Sequence, residues 1–332
     1  LVLCGYRWLC DVSLALPGAR FITGRPSVTR IEVYYGVLGA FYYVLWCGMR
    51  RRKKKADEEE FRLQTRMQAE KPKANQQSKS RTWTVIRRRL GFATGIVVLM
   101  MILLTREKNG FELDILDVGQ GDGIVLRDDT GVTMLCDGGS SSVSNVGKYR
   151  ILPYLRYHGI DRLDYVFLSH MDMDHINGVR ELLERQTCSI KIKNLVLPAI
   201  KNPDETYLEI ERLAAGQKIA VHKMREGDCI CTRSMMLTCL APKAGDTSQN
   251  KNETSMVLHV KYKSFDVMLM GDLEKEGEKD LIRRKKLPQL LEGGNKIEVL
   301  KAGHHGSKGA TSEELLDILK PQIAVLSYGK GN

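Results

Sequence analysis

The chain has 332 residues, enough for one or two ordinary domains. Apolar residues at 43% and charged residues at 27% exclude wholesale disorder and a polytopic membrane protein spanning its whole length. The net charge of +11 is local: residues 50–89 hold 15 Lys and Arg against 5 Asp and Glu, whereas 90–332 hold 32 against 33. The total therefore gives no argument for a strongly basic, nucleic-acid-binding globular surface.

The chain starts at Leu1 and stops after Gly329-Lys330-Gly331, and it reads as a piece of a longer protein. Residues 1–32 are expected to be a membrane-proximal segment. Leu1 to Leu16 is largely apolar, and a Pro/Gly-broken stretch, LPGARFITGRPS, follows. Two uncharged runs come next, Val33 to Met49 and Leu90 to Thr105. Each is slightly shorter than the ~20 apolar residues that span a bilayer. They are predicted as transmembrane helices over 33–49 and 90–105, rather than buried core helices, because Arg50 to Lys55 and Arg87 to Arg89 abut their edges. Tyr34, Tyr35, Tyr42, Tyr43 and Trp46 suit the interfacial belt. The basic 50–89 stretch is too polar to bury a core and reads as a solvated cytoplasmic loop, partly helical at best, touching anionic lipid more readily than DNA. The positive-inside rule then puts 1–32 and everything after 105 on the outer side of the cell membrane.

From about 109 to 332 the pattern is globular. Strands are predicted at 111–118, 123–127, 132–137, 164–169, 194–198, 235–240, 255–262, 266–270, 297–302 and 322–327, with helices at 148–158, 175–186, 204–215, 274–285 and 311–319. This alternation predicts one α/β domain. Cys136 and Cys239 sit in apolar strands, and Cys229-Ile230-Cys231 lacks a second cysteine pair at zinc-ribbon spacing.

The chemistry is concentrated in His170-Met171-Asp172-Met173-Asp174-His175, after an apolar strand and at the start of a helix. Four metal-capable side chains fall within six residues, and imidazole with carboxylate suits Zn²⁺, Mn²⁺ or Fe²⁺. Asp272 follows the apolar run Val267 to Met270 and Gly271, and His304-His305 follow Ile297 to Lys301. A histidine pair in a Gly-flanked loop is rarely core.

The order H-x-D-x-D-H, then Asp272, then His304/His305 resembles the metallo-β-lactamase superfamily. The resemblance implies an α/β/β/α four-layer sandwich, preceded here by the two transmembrane helices. It carries over His170, Asp172, Asp174, His175, Asp272, His304 and His305 as ligands of two divalent metal ions. Asp272 takes the position of the bridging carboxylate, and Asp137 that of a strand-end Asp that supports the ligand loop. Asp172 stands where histidine is commoner, which hardens the site toward Mn²⁺ while leaving Zn²⁺ open. The family's middle histidine has two candidates, His222 and His259. Asp117-Val118-Gly119-Gln120-Gly121-Asp122, Asn252 to Leu258, and Gly303-His304-His305-Gly306-Ser307-Lys308-Gly309 resemble the C-terminal part of the ComEC family of DNA-internalisation proteins. This implies DNA, the membrane, and the rest of a channel and competence assembly as partners.

On this reading Asp174, His170 and Asp272 are catalytic: the metals activate a water against a phosphodiester, and Asp174 holds the nucleophile. Asn252, Ser255, Ser307 and Lys308 are candidates for contact with the phosphate or leaving group. Two alternatives stand beside DNA hydrolysis: hydrolysis of a small phosphodiester such as a phosphorylcholine ester, and a non-catalytic module that guides DNA into a channel.

Overall fold

The computed structural model describes residues 2–15, 22, 24–67, 90–102, 110–184, 190–246, 248, 250–284, 287, 291 and 296–330. The chain divides into two compact units. One joins Leu1–Gly24 to Lys108–Asn332, and the other is Arg25–Glu107.

The smaller unit holds helix α2 (Val28–Met67), which follows α1 (Val2–Ala15) of the larger unit, and helix α3 over 90–102. The first apolar run lies inside α2, and the helix carries on through Arg50–Lys55 to Met67, beyond the expected boundary at 49. Phe41 and Phe92 approach at 5.7 Å between ring centroids, and Gly95 leaves room for the Phe41 ring. Tyr35, Tyr42, Val44, Val97 and Met101 are exposed. Among the described residues no helix is long and apolar enough to cross a membrane, so the two expected crossings are not found as such. The tyrosines lower the hydropathy of the first run. Residues 68–89 of the loop and 103–105 of the second run lie outside the described residues.

The larger unit is an α/β domain with, among the described residues, two six-stranded sheets. The first runs in order β1 (Glu112–Ile115), β2 (Ile124–Arg127), β3 (Thr133–Cys136), β4 (Arg162–Phe167), β5 (Lys191–Pro198) and β6 (Ala220–Met224). It is antiparallel as far as β3 and parallel from β3 to β6. The second runs from β7 (Cys229–Cys231) through β8 (Met235–Ala241), β9 (Val257–Tyr262), β10 (Phe265–Leu269) and β11 (Val299–Lys301) to β12 (Ile323–Val325). It is antiparallel up to β10 and parallel from β10 to β12. A π-turn at Gly147–Ile151 leads into α4 (Leu152–Tyr157), followed by α5 (Met173–Glu184), α6 (Glu205–Gly216), α7 (Lys275–Arg283) and α8 (Glu313–Leu319).

Alternating side chains make the layers. On β2, Val125 joins a cluster with Ile151, Val179 and Ile210, which packs helices on the first sheet. Ile124 and Leu126, its neighbours, face Leu237, Val260 and Val267 of the second sheet. On β10, Val267 and Leu269 point into that middle layer, while Met268 joins Leu281, Leu315 and Leu319 on the far side. Helix, sheet, sheet and helix are thus separated by three apolar layers, the arrangement expected of a metallo-β-lactamase fold. Ile22 packs on the first of these clusters.

Strands β6 and β7 lie outside the predicted strands. Both are edge strands with largely exposed side chains, so neither shows apolar alternation.

Candidate metal centre

The expected ligands come from loops at one edge of both sheets. Asp137 directly follows β3, Ser169 and His170 follow β4, Asp272 follows β10, and His304 and His305 follow β11. These strands are parallel within their sheets, so their carboxyl ends face the same way. Strand β2 is antiparallel to β3, with Ile124 opposite Cys136, which brings the residues before β2 to this edge as well. Asp122 arrives that way.

Glycines let the loops approach. A Cβ at Gly121 or Gly139 would collide with the backbone of Asp174, and Gly121 has φ +145°. In their place run the hydrogen bonds Asp122 N–H to Asp174 O (3.1 Å), Gly138 N–H to His175 O (2.8 Å) and Gly139 N–H to Asp122 O (2.9 Å). The start of α5 is therefore clasped between the Gly119–Asp122 turn and the Asp137–Gly139 turn. Three non-glycine residues here hold left-handed backbone: Asp137 (φ 57°), His304 (φ 43°) and His305 (φ 54°). Such conformations persist where the surroundings over-determine them.

Asp137 supports the ligand loop. Its Oδ1 accepts the Ser169 N–H at 2.7 Å, and its Oδ2 lies 3.0 Å from His175 Nδ1. That contact leaves His175 Nε2 pointing inward, 3.1 Å from Asp272 Oδ1. His170 uses Nδ1 on the hydroxyls of Ser169 (3.0 Å) and Ser255 (3.2 Å). Its Nε2 lies 3.7 Å from both Asp172 Oδ2 and Asp272 Oδ2. His305 Nε2 lies 3.5 Å from Asp174 Oδ2 and 3.6 Å from Asp272 Oδ2, and its Nδ1 faces Asp122 Oδ1 at 3.5 Å. His304 Nε2 stands 3.8 Å from Asp272 Oδ2, with its Nδ1 3.1 Å from Glu274. The structure thus brings His170, Asp172, Asp174, His175, Asp272, His304 and His305 into one cluster around Asp272.

These separations fit a cation. Contacts of 3.5–3.8 Å are long for hydrogen bonds. They match two ligands each about 2.1 Å from one ion, which at a tetrahedral angle lie roughly 3.4 Å apart. Buried polar atoms normally find partners. Yet His170 Nε2, His175 Nε2, His305 Nε2, Asp272 Oδ1 and Asp122 Oδ1 are buried without a hydrogen bond. Atoms of Asp122, His175, Asp272 and His305 all lie within 4.8 Å of one another, a set able to hold a metal ion. The donor set fits a divalent cation.

Burial and charge act on each group in turn. Burial first, then the charge of His175, push His170 down to about 4, so it is neutral and ready to coordinate. For His305 burial opposes the charge, but Asp122 and Asp174 prevail and raise it to about 9. For His175, too, burial works against the charge; Asp137 and Asp272 overcome it and raise the ring well above its usual value. Burial likewise opposes ionisation of Asp272, and the surrounding imidazoles hold it well below the carboxylate range all the same.

Asp122 closes the Asp117–Asp122 motif and is not among the ligands that the sequence predicts. Nothing local marks it, since the three other members of its set come from distant loops. Its partner is Lys301, whose Nζ lies 2.9 Å from Asp122 Oδ2.

Other expectations fall differently. Ser255 is fully buried: its hydroxyl faces His170 Nδ1 and accepts the Asp272 N–H at 3.0 Å, so it lies beneath these two side chains. Asn252 donates to Glu274 at 3.0 Å, and the Ser307 hydroxyl accepts from Gly309 N–H at 3.3 Å. Lys308 is exposed on the loop. Neither candidate for the middle histidine joins the cluster. His222 Nε2 lies 2.9 Å from Asn194 on β5, and His259 Nε2 lies 2.7 Å from Asp266 on β10.

Residues 116–222 match the model of the Metallo-beta-lactamase superfamily, a match that ends before Asp272 and His304. Over 258 residues the chain is 33% identical to "ComE operon protein 3" of Bacillus subtilis, which covers 73% of this chain and 31% of that protein. It is 32% identical over 243 residues to "Recombination protein 2" of Haemophilus influenzae, covering 72% and 27%. It is 27% identical over 226 residues to "Competence protein ComA" of Neisseria gonorrhoeae, covering 68% and 28%. The chain spans less than a third of the length of the curated relatives it matches. These relatives belong to the ComEC family, so the resemblance seen in the motifs is borne out, with a metallo-β-lactamase superfamily domain in the C-terminal part.

Proposed function

We propose that the α/β domain is a metal-dependent phosphodiester hydrolase that acts on DNA at the outer face of the cell membrane during DNA uptake. The observation that carries this reading is the set of buried ligand atoms without hydrogen bonds around Asp272. A module that only guided DNA would have no use for such atoms. The choice of DNA rests on similarity to competence proteins.

Two divalent cations, Zn²⁺ or Mn²⁺, suit the residues. His170, Asp172 and Asp272 would hold one; Asp174, His175, Asp272 and His305 would hold the other, with Asp122 beside it. When bound, such ions supply Lewis-acid activation of water and charge stabilisation at the phosphoryl group. The chain's own part is to aim the ligands. Asp137 turns His175 Nε2 inward, and the Ser169 and Ser255 hydroxyls do the same for His170. Asp174, 22% exposed, reaches both the cluster and solvent and would accept the proton of the attacking water.

We further propose that the runs 33–49 and 90–105 anchor the chain, with 50–89 inside the cell. The Lys and Arg at the edges of both runs support this. The remaining channel and competence parts of a longer protein would be its partners.

The test is hydrolysis of single- and double-stranded DNA by the purified chain. Cleavage is expected with Mn²⁺ or Zn²⁺ and none in chelator; cleavage that survives chelation overturns the proposal. For orientation, protease added to intact cells is expected to cut within 106–332 and spare 50–89. The reverse pattern overturns the placement.

A further inference from the structure

A cleft opens directly beside His170. Its walls include Pro198, Ile200, Lys201, Asp204 and Lys251. Lys251 precedes the short 3₁₀ turn at Asn252–Thr254, and Asp204 caps α6 by accepting the Tyr207 N–H through Oδ1. The Lys251 ammonium bridges two carboxylates, Asp172 Oδ1 at 3.2 Å and Asp204 Oδ2 at 2.9 Å.

Asp172 is therefore shared. One oxygen faces His170 in the metal cluster, and the other faces Lys251 in the cleft. We propose that this cleft is the subsite for the phosphate next to the scissile one in a nucleic-acid strand, and that Lys251 is the residue that binds it. The proposal rests on the DNA reading above and says which part of the substrate the cleft takes.

The chemistry follows from how charge is divided. With a cation held by His170 and Asp172, the Asp172 carboxylate would have less charge to offer Lys251. The ammonium stays tethered by Asp204 and is free to exchange its second partner for a phosphate oxygen. Both Lys251 and Asp172 are about four-tenths exposed, so the exchange needs no opening of the core. Pro198 and Ile200 give the same cleft an apolar wall on which a sugar or base can rest. Lys201 adds a second cation, whereas Asp204 and Asp246 disfavour further anions. One additional phosphate fits this balance better than a long tract of backbone. A substrate with a single phosphodiester has nothing to place there.

The experiment compares wild type, Lys251→Gln and Lys251→Arg in the full chain with Mn²⁺. The substrates are a single-stranded oligodeoxynucleotide and bis(p-nitrophenyl) phosphate, which has one phosphodiester. For Lys251→Gln the oligonucleotide KM is expected to rise about tenfold, a loss at least fivefold larger than on the single phosphodiester, with kcat changing less than KM. The salt dependence of oligonucleotide binding should weaken by about 0.7 in log–log slope, the share of one phosphate contact on a single strand. Lys251→Arg should recover most of the loss. Equal losses on both substrates mean that Lys251 works through Asp172 and overturn the subsite. No loss on either places the cleft off the substrate path and also overturns it. A wild-type chain that hydrolyses the small ester yet neither binds nor cuts the oligonucleotide defeats the DNA reading itself, and the subsite with it.

Discussion

Lys301 Nζ and Asp122 Oδ2 lie 2.9 Å apart, and both side chains are about 1% exposed. Lys301 also donates to the Ala302 carbonyl at 2.9 Å. The pair sits directly behind His305, whose Nδ1 faces the other oxygen of Asp122. Burial resists ionisation of Asp122, but Lys301 wins and lowers it to about 2. A buried ion pair seldom adds net stability over an apolar pair, though losing one partner is costly. Its use here is to hold a carboxylate charged behind His305, which orients the ring.

Replacing Lys301 by Met removes the nearest counter-charge of Asp122 and leaves the carboxylate facing only imidazoles. The expected loss is about 3–5 kcal/mol of stability, as for other broken buried pairs. Asp122→Asn combined with Lys301→Met should be less destabilised than Lys301→Met alone, because the carboxylate that lost its closest counter-charge is removed with it. Denaturant melts of the three proteins decide this. A double variant as unstable as the sum of the singles would count against charge compensation.

Asp272 neighbours His170, His175, His304 and His305 at once. Its removal should therefore harm both halves of the cluster. For Asp272→Ala, elemental analysis is expected to show metal content falling from two ions per chain to less than one. His170→Ala, at one end, should spare one ion. Retention of two ions in Asp272→Ala would remove Asp272 from the bridging position.

Asp174→Asn keeps the size of the side chain and removes its charge. Hydrolysis is expected to drop by about 10²-fold or more, with the melting temperature of the metal-free chain nearly unchanged. Asp172→His restores the commoner family ligand. It should keep or strengthen Zn²⁺ binding and weaken any preference for Mn²⁺, as read by competition between the two ions. Full activity in Asp174→Asn would place the reaction elsewhere.

The two sides of the cluster should differ in their response to pH. His170, pushed down to about 4, carries no proton near neutrality. His305, raised to about 9, carries one in the metal-free chain. A cation bound by His305 and by His175, whose ring is raised as well, must displace their protons, so affinity on that side should rise with pH through about 9. Below that value binding releases protons. Calorimetry at about pH 7, in buffers of different ionisation enthalpy, should detect at least one proton released per chain loaded. His305→Ala should reduce that number, and no change would show that His305 is not a ligand.

Much of this was legible in the sequence, for a local reason. His170, Asp172, Asp174 and His175 fall within six consecutive residues, so chain geometry alone keeps them together. The buried strands from β2 to β5 and from β8 to β11 announce themselves by apolar runs. The helices α5 and α6 follow their 3.6-residue period. Tertiary structure decided the rest. Asp122 becomes a neighbour of His305 only because β2 runs antiparallel to β3 while β11 ends at the same edge of the other sheet. Ser255 looks like an exposed polar candidate, yet it is sealed beneath His170 and Asp272. Lys301 ends a short apolar strand and is buried against Asp122. Lys251 meets Asp172 across 79 positions of sequence (251 − 172). Periodicity and composition report on the backbone within a few residues. Sheet order and register determine which distant side chains share one edge, and the final burial of each polar group follows from that alone.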